Sequence, residues 1–213
     1  MSYIILSHIK DEEKNILDVV TNFYSQTLKP LEVVIVDDDS KDDTIKLLGK
    51  FPDIRLLLIT QKSWVDSTSF IRRKTAFNFG IDYIKRNFPF VKYVLKVDGD
   101  TLISFDYAEK LVNMMEWDNL VACSGMSTEY YKVRNLNNGA VMYKLVNLPW
   151  AKPIYGWDWQ LETDLIKQGG RVAVNRMAKY TDIRMPNMVD SDLKKVIRNR
   201  LYRKYCEFMG YKL

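Results

Sequence analysis

Asp98 and Asp100 stand one residue apart, on either side of Gly99, in the stretch YVLKVDGDTLI (residues 93–103), which is largely apolar from Tyr93 to Val97. Two carboxylates that close repel each other, and neither leaves water cheaply without a partner. A D-x-D pair at a strand end can hold a hard divalent cation, because oxygen ligands suit magnesium or manganese and such ions are often shared with substrate phosphates. A cation there would neutralise the charge on a departing diphosphate. The plainer reading of the same residues is a turn, where Asp and Gly are common. A second acidic run, Asp37–Asp39, closes another apolar stretch, LEVVIVDDDS.

Acids in these places need strands to carry them. Residues 3–7 read as a short buried strand. Residues 11–26 place Ile16, Val19, Val20 and Phe23 at helical spacing, with acids in the first turn. LEVVIVD is a second strand, and its continuous apolar run suits a parallel sheet covered on both faces. Ser40 or Asp42 can cap a short helix carrying Ile45, Leu47 and Leu48. DIRLLLIT is a third strand, a helix over about 67–87 turns Phe70, Ala76, Phe77, Ile81 and Ile84 inward, and VKYVLKV is the fourth strand. This order predicts an α/β doubly wound sheet, in which ligands collect at the carboxyl ends of the strands. Both acidic clusters fall at such ends. Later alternation is less regular: a helix over 104–116, strands in LVACSGM and GAVMYKL, a helix from about 157 to 168 closed by Gly169, a short strand in RVAVNR, and a basic helix over 191–209. With no repeat, low-complexity tract or Pro/Gly/Ser-rich linker, a single domain over 1–190 followed by a C-terminal helix over 191–213 is expected.

The composition sets outer bounds. At 213 residues, with 47% hydrophobic and 28% charged residues, the chain has the make-up of a soluble globular protein with a sizeable core. Thirteen Tyr, nine Phe and five Trp suit a site that stacks on rings. A formal charge of +5 is too mild to imply nucleic acid as a partner. Cys123 and Cys206 alone do not make a disulfide framework, which favours a reducing compartment. The N-terminal apolar run is too short for a secretory signal, and no stretch approaches a membrane-spanning length. A cytoplasmic protein is expected, either free or peripheral on the inner membrane surface.

Two partial resemblances fail on spacing. DGDT is similar to the D-x-D-x-T of haloacid-dehalogenase-type phosphatases but lacks one residue before Thr101. VVIVDDDS resembles the acidic pocket of receiver domains, yet the third strand ends in Thr60-Gln61, with no acceptor Asp. A nucleotidylyltransferase would place a Gly-rich loop after the first strand, and SHIKDEE contains no glycine.

Four stretches, taken in order, resemble family 2 glycosyltransferases: SQTLKPLEVVIVDDDSKDDT (25–44), RRKTAFNFGID (72–82) with its A-x-N-x-G, KVDGDT at the D-x-D position, and GWDWQLETDLIKQGG (156–170) through Asp158, Leu161 and Gly169. The resemblance covers roughly residues 3–170. It implies a GT-A-like, mixed but mainly parallel sheet flanked by helices, and inverting, metal-dependent transfer of a sugar from a nucleotide-diphosphate sugar. The donor would be held by residues 1–103 and the acceptor by 104–190. It implies that Asp37 and Asp39 meet the nucleoside, where a carboxylate can accept from a base N–H or a ribose hydroxyl. Arg72 and His8 would lie near the nucleotide, Asp98 would position ribose or metal, and Asp100 would be the main ligand of Mn2+ or Mg2+. Asp158 would be the general base, its pKa raised between Trp157 and Trp159, which would also exclude water and offer faces to sugar rings.

The chain departs from the family pattern in places. Trp157 replaces the usual acid before the base, Asp164 replaces a later arginine, and the first strand ends SHIK. The histidine that many relatives supply late in the chain as a metal ligand has no counterpart, and Asp182 is the candidate substitute. The alternatives are a metal-dependent phosphatase or nucleotidylyltransferase, or a nucleotide-binding module without turnover. The acceptor stays open among glycan, lipid-linked and protein groups. The tail SDLKKVIRNRLYRKYCEFMGYKL could lie on an anionic membrane or pack its apolar stripe against the domain.

Overall fold

The structure is a computed structural model describing residues 2–59, 69–128, 136, 138–152 and 157–183, with backbone only for 69–71. The expected tail helix, Cys206, Thr60-Gln61 and the side chain of Phe70 lie outside the described residues.

The first half follows the predicted order. Strands β1 (Tyr3–Ile9), β2 (Glu32–Asp37), β3 (Ile54–Leu58) and β4 (Tyr93–Asp98) alternate with helices α1 (Ile16–Tyr24), α2 (Thr44–Leu48) and α3 (Ser69–Asn87). The second half comprises β5 (Thr101–Ile103), α4 (Tyr107–Trp117), β6 (Ala122–Ser127), β7 (Ala140–Lys144), a 3-10 turn at Leu145–Asn147, α5 (Trp157–Lys167) and β8 (Val172–Asp182). All eight strands form one sheet in the order β3-β2-β1-β4-β7-β6-β8-β5.

The sheet is mixed. The pairs β1–β2, β1–β4, β2–β3 and β6–β8 are parallel, while β4–β7, β6–β7 and β5–β8 are antiparallel. Two features differ from the sequence reading. The strand expected in RVAVNR is eleven residues long and runs on to Asp182. The three-residue β5, directly after the Asp pair, has no counterpart in that reading.

Period-two alternation along β1 splits the core between the two sheet faces. Tyr3, Ile5 and Ile9 pack with Ile16, Val19 and Phe23 of α1 and with Leu111 and Met115 of α4. Ile4 and Leu6 pack on the other face with Ala76, Phe77 and Ile81 of α3 and with Trp157, Leu161 and Leu165 of α5. α3 comes close to the sheet because of Gly80: a Cβ there would meet Leu6 Cδ1 at 2.4 Å and Val36 Cγ2 at 3.1 Å.

Polar side chains of α1 fix the segment that leads out of β4. Asn22 donates to the Ile103 carbonyl (2.9 Å) and accepts from the Ile103 N–H (2.9 Å). Gln26 donates to the Ser104 carbonyl (3.1 Å) and accepts from the Ala108 N–H (3.3 Å). β5 is thus held from one side by α1 and from the other by β8. Thr101 donates to Asp182 (2.7 Å), and the Ile183 N–H donates to the Asp100 carbonyl (2.7 Å).

Candidate active site

The carboxyl ends of β1, β2 and β4 lie side by side in parallel register. His8 is opposite Asp98 and Val36, and Ile9 is opposite Asp37. The β4 end turns at Gly99, pressed against β1: a Cβ there would stand 2.7 Å from Ile9 Cγ2 and 3.3 Å from the His8 carbonyl oxygen. Glycine at this position lets the two acids bracket a tight turn instead of being pushed off the sheet.

Asp98 is not alone. Lys96, two residues earlier on the same strand face, is only 4% exposed. Its ammonium pairs with Asp98 Oδ1 at 2.5 Å and donates to the Asn138 carbonyl at 2.5 Å. Asp158 comes to the same neighbourhood from the first turn of α5, with Oδ1 accepting from the Trp159 N–H at 3.0 Å. Burial pushes the Asp158 carboxyl up, the Lys96 charge pulls it back, and the Asp98 charge raises it further. Asp98, Asp158 and Glu162 all add to the burial that keeps the Tyr143 hydroxyl protonated. His8 joins the group from β1. Burial pulls its imidazole down to about 4, opposed by the Asp98 carboxylate and reinforced by the Lys96 and Arg73 cations.

The acids beyond β2 divide their roles. Asp37 is buried, and both its oxygens accept from Ser40: the hydroxyl at 2.5 Å and the N–H at 3.0 Å. Asp39 adopts a left-handed conformation, φ 59°, and pairs with Lys41 at 2.8 Å. Asp38, between them, is the acid that meets Arg72 of α3, at 3.4 Å, while Lys10 donates to its backbone carbonyl at 2.7 Å. Burial holds the Asp38 carboxyl above its ordinary range against the pull of Lys10 and Arg72.

His8 and Asp98 are therefore neighbours across β1 and β4, Asp158 lies within reach of the Lys96 and Asp98 charges, and Arg72 meets Asp38 at the neighbouring strand end. Asp100 sits past the turn, beside β8, where Asp182 pairs in register with Thr101. Asp37 and Asp39 shape the loop between β2 and α2. Trp157 is buried against Phe77, ring centroids 5.0 Å apart, so it is a wall of the core and offers no free face to a sugar. Trp159 is half-buried. Three contributors are absent from the sequence reading: Lys96, Asp38 and Tyr143.

Among the described residues, no three His, Cys, Asp or Glu side chains form a ready-made metal cage. The donor chemistry nevertheless fits a hard cation that takes its remaining ligands from phosphate and water. Asp100 offers a carboxylate at the half-buried turn, Asp98 lies two residues before it, and Asp182 lies across the β5–β8 ladder. Also among the described residues, no helix is long and apolar enough to cross a membrane.

The model of the family described as "Glycosyl transferase family 2" matches residues 3–178. No curated protein matches in sequence. Solved structures share the fold. TarS of S. aureus superposes with a TM-score of 0.67 at 13% identity, covering 85% of this chain and 36% of its own. The mannosyltransferase PcManGT of Pyrobaculum calidifontis, in complex with GDP-Man and Mn2+, gives 0.67 at 18% identity, covering 87% and 57%. Glucosyl-3-phosphoglycerate synthase of Mycobacterium tuberculosis, in complex with Mn2+, UDP and glucosyl-3-phosphoglycerate, gives 0.68 at 14% identity, covering 100% and 81%. The chain spans a little over a third of TarS and under three-fifths of PcManGT.

Proposed function

The chain belongs to glycosyl transferase family 2, and from that footing we propose that it transfers a sugar, with inversion, from a nucleotide-diphosphate sugar to a hydroxyl or phosphate acceptor, assisted by Mn2+ or Mg2+. The observation that carries this reading is the ion pair of Asp98, at the end of β4, with the buried Lys96 ammonium, with Asp158, at the start of α5, inside the reach of both charges.

Inverting transfer needs the acceptor to attack the face of the sugar opposite the leaving diphosphate. As its oxygen bonds to the anomeric carbon, the acceptor proton passes to a base and the bond to the diphosphate oxygen breaks, the electron pair leaving with the nucleoside diphosphate. Asp158 takes the base role in this reading. Burial raises its affinity for a proton, as a base accepting the acceptor's proton requires, and the Lys96 charge opposes that shift. Asp98, His8 and Arg72 line the side where the donor nucleotide would lie, with Asp38 held toward Arg72 and Asp37 and Asp39 shaping the loop behind. Asp38 can accept a base N–H while the guanidinium donates to a neighbouring carbonyl. Asp100, with Asp98 and Asp182 near it, would hold the cation, which when bound neutralises diphosphate charge. Structures with this fold hold GDP-Man with Mn2+ and UDP with Mn2+, which supports a cation-assisted nucleotide-sugar donor.

The test is a screen of UDP- and GDP-sugars with Mn2+, tracking release of the nucleoside diphosphate, for wild type and Asp158→Asn. The variant should bind donor normally and lose transfer by on the order of a hundredfold or more. Undiminished transfer would remove Asp158 from the chemistry. Donor uptake by wild type with no diphosphate released to any acceptor would favour a binding module.

A further inference from the structure

Lys96 breaks the pattern of its strand. Its neighbours Val94, Leu95 and Val97 are fully buried, β4 lies between β1 and β7 within the sheet, and an ammonium there is costly unless it is paired. An apolar residue would pack in its place at less cost. What the lysine gains is directional. Asp98, two residues on, projects from the same strand face, so the backbone itself sets the spacing of cation and acid. The Asn138 carbonyl takes a second ammonium proton from the side of β7. The Lys96 side chain is 6% exposed and that of Asp98 34%, so the cation lies below and the carboxylate reaches the surface. One carboxylate oxygen is committed to the lysine, which fixes the direction of the other.

We propose that Lys96 is a positioning residue that acts through Asp98, locking that carboxylate into one orientation against the Asn138 carbonyl before a nucleotide-diphosphate donor arrives. The proposal rests on the donor-binding role assigned to Asp98 above. In a free aspartate at a strand end, the side chain samples several rotamers, and a ligand must select one of them. Here the selection is made in advance by a partner that no solvent ion can replace. The lysine touches neither donor nor acceptor; its effect is felt only through the acid it holds and through its charge, which reaches Asp158 and His8.

The test is a double-mutant cycle on binding. Calorimetry with UDP and with GDP in the presence of Mn2+ is run on wild type, Lys96→Met, Asp98→Asn and the double variant, with thermal melts to confirm folding. Each single change should weaken binding about tenfold, and the double should bind no more weakly than the worse single variant. A purely structural lysine would lower the melting temperature and leave the affinity of the folded protein unchanged. That result, or losses that multiply to about a hundredfold in the double, would overturn the proposal. Should the methionine variant fail to fold, Lys96→Gln retains a donor for the Asn138 carbonyl without the charge. It should show the same tenfold loss, and wild-type affinity in it would likewise overturn the assignment. If wild type takes up neither nucleotide, the functional reading falls and Lys96 falls with it. If wild type binds and the Lys96 variants bind equally well, only the role of Lys96 is lost.

Discussion

His8 stands where burial and charge act against each other. Its imidazole is pulled down to about 4 in the folded protein, whereas the unfolded chain titrates near 6.5. As pH falls, the unfolded state takes up the proton first, so stability is lost between about 6.5 and 4 and retained above that range. Between pH 7 and pH 5 wild type should lose about 1–2 kcal/mol more than His8→Gln, measured by urea denaturation. Equal losses would mean that the imidazole is solvated in the folded state. At this scale the sequence is legible where chemistry is local. Asp98, Gly99 and Asp100 announce a turn at the end of β4, and Asp158 between two tryptophans announces a desolvated acid. It is illegible where direction decides. Asp37, Asp38 and Asp39 look equivalent as letters, yet a one-residue step on a strand reverses the facing side, and only Asp38 meets Arg72. Lys96 hides inside an apolar run, although its two-residue spacing to Asp98 is a readable sign that they share a face.

Helix α3 owes its close approach to the sheet to Gly80, whose missing side chain leaves room for Leu6 and Val36. On an exposed helix position, glycine to alanine would stabilise by about 0.5–1 kcal/mol. Here the sign should reverse: Gly80→Ala forces a methyl into packed aliphatic side chains and should destabilise by about 1–3 kcal/mol, read from the urea midpoint. A stabilised variant would show that α3 can move away at no cost. Because α3 also carries Arg72, such movement should weaken donor binding in parallel. Elements with strong periodicity, such as α1, β1, β2 and β4, are visible in the sequence because burial on one or both faces leaves a pattern. β5 is invisible there because three residues cannot display a period. β8 reads as shorter than it is because Arg176 interrupts it, although buried Ala178 and Tyr180 alternate with exposed Lys179 beyond that point.

Taken whole, the protein should respond to its ligands as a binding equilibrium coupled to folding. A nucleoside diphosphate with Mn2+ at about a hundred times its dissociation constant contributes about 2.7 kcal/mol, which for a domain of this size raises Tm by about 5–10 °C. Asp100→Ala should abolish the Mn2+-dependent part of that rise. An identical rise in the variant would place the cation elsewhere. The α/β class and the placement of Asp37 and Asp98 at strand ends are legible in the sequence, because alternating strand and helix patterns leave few arrangements. The mixture of strand directions follows from the family resemblance alone, because nothing in GAVMYKL or LVACSGM itself tells whether its partner runs with it or against it.

The clasp around β5 has a kinetic consequence. Thr101 reaches Asp182 and Ile103 reaches Asn22, each across 81 residues of chain. Contacts between such distant partners form late, because the intervening chain must lose its freedom before any bond repays it. The β1–α1–β2 segment can collapse on neighbours close in sequence, whereas the turn bearing Asp100 is set only when the last strand docks. If the turn holds Mn2+ as proposed, the ability to retain the ion should return during refolding after native-like helical signal, and a protein still emerging from the ribosome should be unable to hold it there until β8 has been made.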